Sequence, residues 1–494
     1  MTVIRVAREH RRMERMSERD GNHATGTGQE PAHDCGDEHD GVHGDGHGDG
    51  HGDGHGRERG GVHGTERGDG QGRERGDERG EEHRDEPGDE RGHEGGARLS
   101  SEDRRRHRRL AAWRACERVL TRPAMDQRLG ERLAALAADA GAVYDLEERT
   151  DLYGDGVVAE LERRVAALLG FPAAAFFPTG TMAQQVALRC WAGRTGERTV
   201  ALHPLAHPEV HEGDALTAVS GLRTVHATNG PRLPTAEEVQ DLAEPFGTLM
   251  LELPLRDAGF VLPTWDELVA MVEAARERDA VVHFDGARLW ECASHFGRPL
   301  AEIAGLADSV YVSFYKSLNG LSGAALAGPR ELVEEARTWR HRYGGQVFQQ
   351  YPAALSALAG LERELPRLPA YVAHARMVAA ELAAGLAESG APWFRVHPEP
   401  PHTHQFQVWL PYTPEVLNEA AVRQAEETKV ALFRVWTSPL PAPAGLAFTE
   451  VTVTEPALEW TAEDVRGAAG EFVRYVERVE RDRRNEKEEA RTAG

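Results

Sequence analysis

The sequence predicts an α/β protein in which a mostly parallel sheet covered by helices is followed by a smaller α/β domain. Three observations carry this. Between about residues 152 and 329, apolar residues at helical spacing alternate with short apolar runs of strand length. The helical stretches open and close on recognisable signals, such as Gly170 as a left-handed cap and Thr264 with Glu267 as a capping box. After about Arg342 the rhythm changes to a long helical stretch, two apolar strands and a last helix. Strand, helix and strand in succession imply parallel pairing with helices on the sheet's faces.

Residues 1–98 come first and are expected to be a disordered tail rich in Gly, His, Asp, Glu and Arg. From 17 to 98 the only large apolar side chains are Val42 and Val62, too few to offset the entropy of ordering. Within it His43, His47, His51 and His55 alternate with Asp45, Asp49 and Asp53. Imidazole and carboxylate suit a divalent metal, so adventitious metal binding is chemically reasonable. The spacing matches neither a closed zinc motif nor a calcium loop.

Residues 99–150 read as a helical arm, with Leu110, Trp113, Val119, Leu129, Leu133 and Leu136 at helical spacing. The large domain is assigned to 151–335. Its first helix places Leu161, Val165 and Leu168 on one face and stops at Gly170, Ala173 to Phe177 is a strand, and Gly180 opens TMAQQVALRCWAG as a helix. TWDELVAMVEAARERD is the helix started by the Thr264 capping box, and AVVHF at 280–284 is the buried strand after it. A helix at Glu331 to Arg342 leads into the small domain, 336–480. It holds a long helical stretch from Gln350 to Ser389, the strands FQVWLP (406–411) and FTEVTVTE (448–455), and a helix from Thr461. The charged tail 481–494 is expected to fray.

The net charge of −23 argues against a nucleic-acid partner or an anionic membrane surface, both of which are held by excess Lys and Arg. No apolar run approaches the ~20 residues needed to cross a bilayer. The first residues, MTVIRVAREHRRMERM, carry charges where a signal peptide has its apolar stretch. A cytoplasmic location is the expectation. Cys35, Cys116, Cys190 and Cys292 lie far apart, so neither a disulfide framework nor a thiolate metal site is indicated.

The chemistry concentrates at strand ends. Asp285 follows AVVHF at its carboxyl end, where open α/β sheets place their ligands, and Gly286, Ala287 and Arg288 share its turn. Taken alone this is equally a structural salt bridge. Lys316 follows a second strand, DSVYVSF (308–314), and precedes the Gly-rich SLNGLSGAALAG. A lysine at the wall of a sheet crevice can form a Schiff base with an aldehyde, and a carboxylate can hold a pyridine nitrogen protonated. Together they are handles for pyridoxal 5'-phosphate. PTGTMAQQ (178–185) puts Gly180 and Thr181 at a helix N-terminus, which favours a phosphate.

DLYGDGVVAELERRVAALLG (151–170), FFPTGTMAQQVAL (176–188), AHPEVHEGDA (206–215), LEL (251–253), HFDGARLWE (283–291) and SFYKSLNGLSGAALAG (313–328) together resemble the threonine aldolase and β-eliminating lyase family. The resemblance runs in order over about 151–345. It implies a pyridoxal-phosphate enzyme of fold type I, the aspartate-aminotransferase fold. It also implies a cofactor site of Gly180, Thr181, His207, Glu252, Asp285, Arg288 and Lys316, with Lys316 and His207 catalytic. Lys316 would carry the cofactor, Asp285 would pair with the pyridine nitrogen, and Arg288 would lie beside the cofactor and the substrate carboxylate. His207, with Glu212 close behind, would stack on the ring and serve as a base for the substrate hydroxyl. The implied reaction is retro-aldol cleavage of a threonine-like β-hydroxy-α-amino acid to glycine and an aldehyde, by a homodimer or homotetramer.

Two stretches depart from the family pattern. Where an arginine gripping the substrate carboxylate is expected, YGGQVFQQYP places Phe348. The loop after Glu252 reads LPLRDAGF where many members carry another histidine. Arg256, Arg288 or Arg342 then become the candidates for the carboxylate. Elimination of a β-substituent is the alternative reaction, and metal binding through the His/Asp-rich tail is the alternative of a different class.

Overall fold

The computed structural model describes residues 100–121, 128–438 and 445–492. The expected disorder of residues 1–98, and any metal on their histidines, therefore lie outside the described residues. Helix α1 (Ser101–Arg114) starts on a capping box between Ser100 and Asp103, and α2 spans Leu129–Val143. Then follow α3 (Gly156–Leu169), β1 (Ala173–Phe177), α4 (Gly180–Thr195), β2 (Thr199–Leu202), β3 (Arg223–His226), β4 (Thr248–Glu252) and α5 (Trp265–Glu277). Next come β5 (Val281–Gly286), β6 (Ser309–Ser313), β7 (Ala324–Gly328) and α6 (Arg330–Arg342). The C-terminal part contains α7 (Tyr351–Arg363), α8 (Leu368–Glu388), β8 (Arg395–His397), β9 (Gln405–Leu410), α9 (Pro414–Thr428), β10 (Ala447–Thr452) and α10 (Ala462–Thr492).

Seven strands form one sheet in the order β1-β7-β6-β5-β4-β2-β3. All neighbouring pairs from β6 to β3 are parallel, while β7 runs antiparallel to both β1 and β6. The mostly parallel sheet is thus as expected. Every residue of β4 (TLMLE) and β6 (SVYVS) is buried, which is why these strands read as apolar runs instead of alternating patterns. Leu161 and Val165 of α3 are buried as their spacing requires, but Leu169 completes the stripe and Leu168 packs only half-buried. Gly170 caps α3 at φ 71°, a left-handed conformation that suits glycine. The second sheet, β10-β9-β8, is antiparallel throughout.

Three local expectations are corrected. The arm is helical in α1 and α2 but not between them: Arg118–Val119 pair in parallel with Val430–Ala431, and Leu129 and Leu133 are 76% and 56% exposed. The pairing follows from Leu120, which is fully buried and donates its N–H to the Ala431 carbonyl. The stretch from 350 to 389 is two helices joined by a 3-10 turn at Leu365–Arg367, because Pro366 lacks the N–H that a continuous helix would use. The segment after 480 does not fray at once: α10 runs to Thr492, with Asp482 paired to Arg423 at 2.6 Å and Glu and Arg interspersed along an exposed surface.

Candidate active site

The carboxyl ends of three adjacent parallel strands define the site. Register places Glu252 of β4 opposite Asp285 of β5, and Asp285 opposite Tyr311 of β6. Glu252 and Asp285 are both buried. Burial pushes the Asp285 carboxyl above its ordinary value, and the Lys316 and His207 charges only partly offset this. Burial, reinforced by Asp285, pushes Glu252 up to about 7. Its carboxylate accepts the backbone N–H of His207 at 2.7 Å and of Arg256 at 3.1 Å, so it also fixes two flanking loops.

Lys316 lies three residues beyond the end of β6 in a compact loop. The loop is closed by Gly320 N–H donating to the Phe314 carbonyl at 2.8 Å and Asn319 N–H to the Lys316 carbonyl at 3.2 Å. Burial, together with the Arg288 charge, lowers the Lys316 amine to about 8, while Asp285 and Glu252 pull the other way. The chain has only three lysines, and the other two, Lys429 and Lys487, are exposed. Lys316 is the one whose surroundings favour a neutral, nucleophilic amine.

Gly180 and Thr181 open α4, where the first N–H groups have no acceptor within the helix. The cap is Thr179, whose Oγ1 accepts the Met182 N–H at 3.2 Å, so the Thr181 hydroxyl is not spent on capping. A side chain at Gly180 would overlap the Tyr311 hydroxyl and stand 2.8 Å from its Cζ. Glycine is therefore required for the helix start and the Tyr311 ring to approach. Tyr311 and, two residues on, Ser313 were not singled out from sequence. They sit in a fully buried strand, where their spacing is that of any core residue, yet the Ser313 hydroxyl acts on the hydroxyls of both Tyr311 and Tyr315.

His207 is held from two sides. Its N–H goes to Glu252, and its Nδ1 lies 3.0 Å from Oε1 of Glu212, whose side chain is 1% exposed. A carboxylate can only accept, so Nδ1 carries the proton and Nε2 keeps a lone pair in the neutral ring. The His211 ring lies 5.2 Å away, bound through Nε2 to Asp257 at 2.6 Å.

The three candidate arginines differ sharply. Arg256 is paired with Asp257 at 3.0 Å and with Glu450 of β10 at 2.9 Å. Arg342 stacks on Trp339 at 4.5 Å, on the exposed end of α6. Arg288 packs over Phe260 at 5.3 Å with its Nε buried and unpartnered, and among the described residues no carboxylate pairs with it. Phe348 is 55% exposed, edge-on to Tyr153 at 5.4 Å, and its carbonyl accepts the Tyr153 N–H. Lys316, Asp285, Glu252, His207 and Arg288 are thus close enough to shift one another's charge, with Gly180 brought against Tyr311. The set fits a pyridine aldehyde phosphate: a depressed lysine amine, a buried carboxyl, a helix start whose first N–H groups have no acceptor within the helix, and the orphaned buried Nε of Arg288.

The family described as Beta-eliminating lyase matches residues 111–404. Among solved structures, the chain is similar to a candidate aromatic amino acid beta-eliminating lyase/threonine aldolase from Exiguobacterium sp. 255-15. The TM-score is 0.67 with 34% identity, over 75% of this chain and 99% of that one. A candidate L-allo-threonine aldolase from Listeria monocytogenes EGD-E gives a TM-score of 0.67 with 31% identity, over 74% and 99%. The low specificity L-threonine aldolase of Escherichia coli K12 is 31% identical over 225 residues, 44% of this chain and 67% of its own length.

Proposed function

The chain belongs to the beta-eliminating lyase family, and from that premise we propose that it is a pyridoxal 5'-phosphate-dependent lyase cleaving a threonine-like β-hydroxy-α-amino acid to glycine and an aldehyde. The observation that carries this reading is the placement of Lys316, three residues beyond β6, with buried Asp285 at the end of the adjoining β5, a lysine and a carboxyl whose charges act on one another. When bound, pyridoxal phosphate supplies an electron sink for the pair released at the substrate's α-carbon. Lys316 would hold the cofactor through its aldehyde, its amine being the group the substrate amine must replace. Asp285 would pair with the ring nitrogen, and Gly180 and Thr181 would hold the phosphate with their backbone N–H groups at the start of α4, where Gly180 meets Tyr311. Arg288 takes the substrate carboxylate, since Arg256 is already doubly paired and Arg342 is exposed. His207 Nε2 accepts the β-hydroxyl proton as the Cα–Cβ bond breaks, and Glu212 stabilises the imidazolium that results. Glu252 positions the His207 backbone.

The exposed apolar side chains Leu129, Leu133, Tyr153, Val347 and Phe348 are suited to a second subunit, so the active form is proposed to be a homodimer or a dimer of dimers. Among the described residues no helix is long and apolar enough to cross a membrane, and a cytoplasmic location is proposed on that and the relatives' amino-acid chemistry.

Incubating the cofactor-loaded protein with threonine-type substrates tests the reaction. Glycine plus an aldehyde is expected, whereas a keto acid plus ammonia would mean β-elimination. The proton balance at Lys316 gives a second expectation. Its amine must be neutral to attack, so capture of pyridoxal phosphate by cofactor-free protein should accelerate as pH rises and level off above about 8. Stopped-flow absorbance measures this, and a midpoint near the ordinary lysine value of about 10 would contradict it.

A further inference from the structure

The loop carrying Lys316 is gripped on both sides by one turn of chain. Trp290 donates its indole N–H to the Ser313 carbonyl at 2.9 Å, just before the loop. Ser317, next to Lys316, donates its hydroxyl to Glu291 Oε2 at 3.0 Å. Trp290 and Glu291 belong to the 3-10 turn Leu289–Glu291, whose N-cap is Arg288. One short element therefore presents Arg288 to the site and fixes both flanks of Lys316.

The Glu291 side chain is fully buried, and its Oε1 has no partner. A buried carboxylate in this position is costly unless a charge answers it. The answer comes from the second sheet. His404, immediately before β9 and 2% exposed, forms an ion pair through Nε2 with Glu291 Oε2. Its Nδ1 lies 2.6 Å from the Val453 carbonyl. A carbonyl can only accept, so Nδ1 carries hydrogen, and the Glu291 carboxylate against Nε2 favours the protonated ring. Burial works against that charge, as does Arg288, but Glu291 overrides both and holds His404 above the ordinary histidine range. Tyr371 stacks on the ring at 6.0 Å.

We propose that Glu291 and His404 are positioning residues: the buried pair, acting through Ser317, locks the Lys316 loop and the Arg288 turn in register with the second sheet. The proposal rests on Lys316 being the reactive amine. It assigns a task to a charged pair that a packing role alone would not need, since an apolar pair of similar volume costs less to bury. Without the pair, the loop relaxes, the Lys316 amine gains water, and its protonation returns toward that of a free lysine.

The test uses the full chain without added cofactor. Lys316 is acylated over a pH series and the modified peptide is quantified by mass spectrometry, a simple count in a chain of three lysines. Glu291→Gln should raise the half-labelling pH by about one unit, and Ser317→Ala should shift it the same way by less. In loaded protein, Glu291→Gln should lower kcat about tenfold or more with KM nearly unchanged. A folded Glu291→Gln whose labelling midpoint stays at the wild-type value overturns the proposal. If that variant does not fold, an unshifted midpoint in Ser317→Ala does so. Because labelling needs no pyridoxal phosphate, a chain that never binds it while showing these shifts would sink the functional reading and leave the positioning role standing.

Discussion

Lys316→Ala should abolish both turnover and the absorption band of lysine-bound pyridoxal phosphate, with no change in far-UV circular dichroism. The loop tolerates the change because the hydrogen bonds that close it run from backbone groups at Asn319 and Gly320 and from the Ser317 hydroxyl, not from the lysine side chain. Removal also relieves a burial cost, since the amine is driven below its ordinary protonation by desolvation and by Arg288. The variant should therefore be at least as stable to heat as the parent protein near pH 7. Neither Lys429, whose Nζ donates to the Glu426 carbonyl at the end of α9, nor Lys487 on the exposed part of α10 can substitute. Turnover persisting in this variant would place the chemistry elsewhere.

Asp285→Asn should lower kcat by about a hundredfold to a thousandfold, the range found when one preorganised electrostatic partner is removed from a reacting centre. Asparagine keeps the oxygen that accepts the Ala287 N–H at 3.1 Å, so the turn after β5 survives. The sign of the stability change separates function from structure. The Asp285 carboxyl is raised in the folded protein, so above its unfolded pKa its charge is a cost that grows as pH climbs through the folded value. Neutral asparagine removes that cost. Cofactor-free Asp285→Asn should then unfold at the same temperature as the parent or higher at pH 7, while activity collapses. A large fall in unfolding temperature would make Asp285 a structural residue. Residues that serve a reaction commonly stand at the expense of stability in this way.

The parts of the site legible in sequence were those marked by a change of pattern. Asp285 ends an apolar strand, Lys316 follows one, and Gly180 precedes a helix, so each is a polar or permissive residue at a boundary that periodicity locates. The sheet and its mostly parallel order followed from the same alternation. The missed residues lack such a mark. Tyr311 and Ser313 lie inside a strand buried on both faces, where alternation carries no information about which side chain meets the helix start of α4. Glu291 and His404 meet only because the second sheet packs against the turn after β5, a juxtaposition without local periodicity. The choice among Arg256, Arg288 and Arg342 was open in sequence for the same reason. It was narrowed by Glu450, a partner from β10 that occupies Arg256. The arm is helical at Ser101–Arg114 and Leu129–Val143, but Leu129 and Leu133, which have the spacing of a buried face, are exposed.

The central claim is that Lys316 holds the cofactor, and reduction tests it most directly. The full chain, saturated with pyridoxal phosphate, is treated with borohydride, digested and mapped by mass spectrometry, which reads the covalent pyridoxyl adduct on any of the three lysines. The account predicts one adduct per chain, on the peptide bearing Lys316. No adduct, or an adduct on Lys429 or Lys487 with Lys316 unmodified, would contradict it.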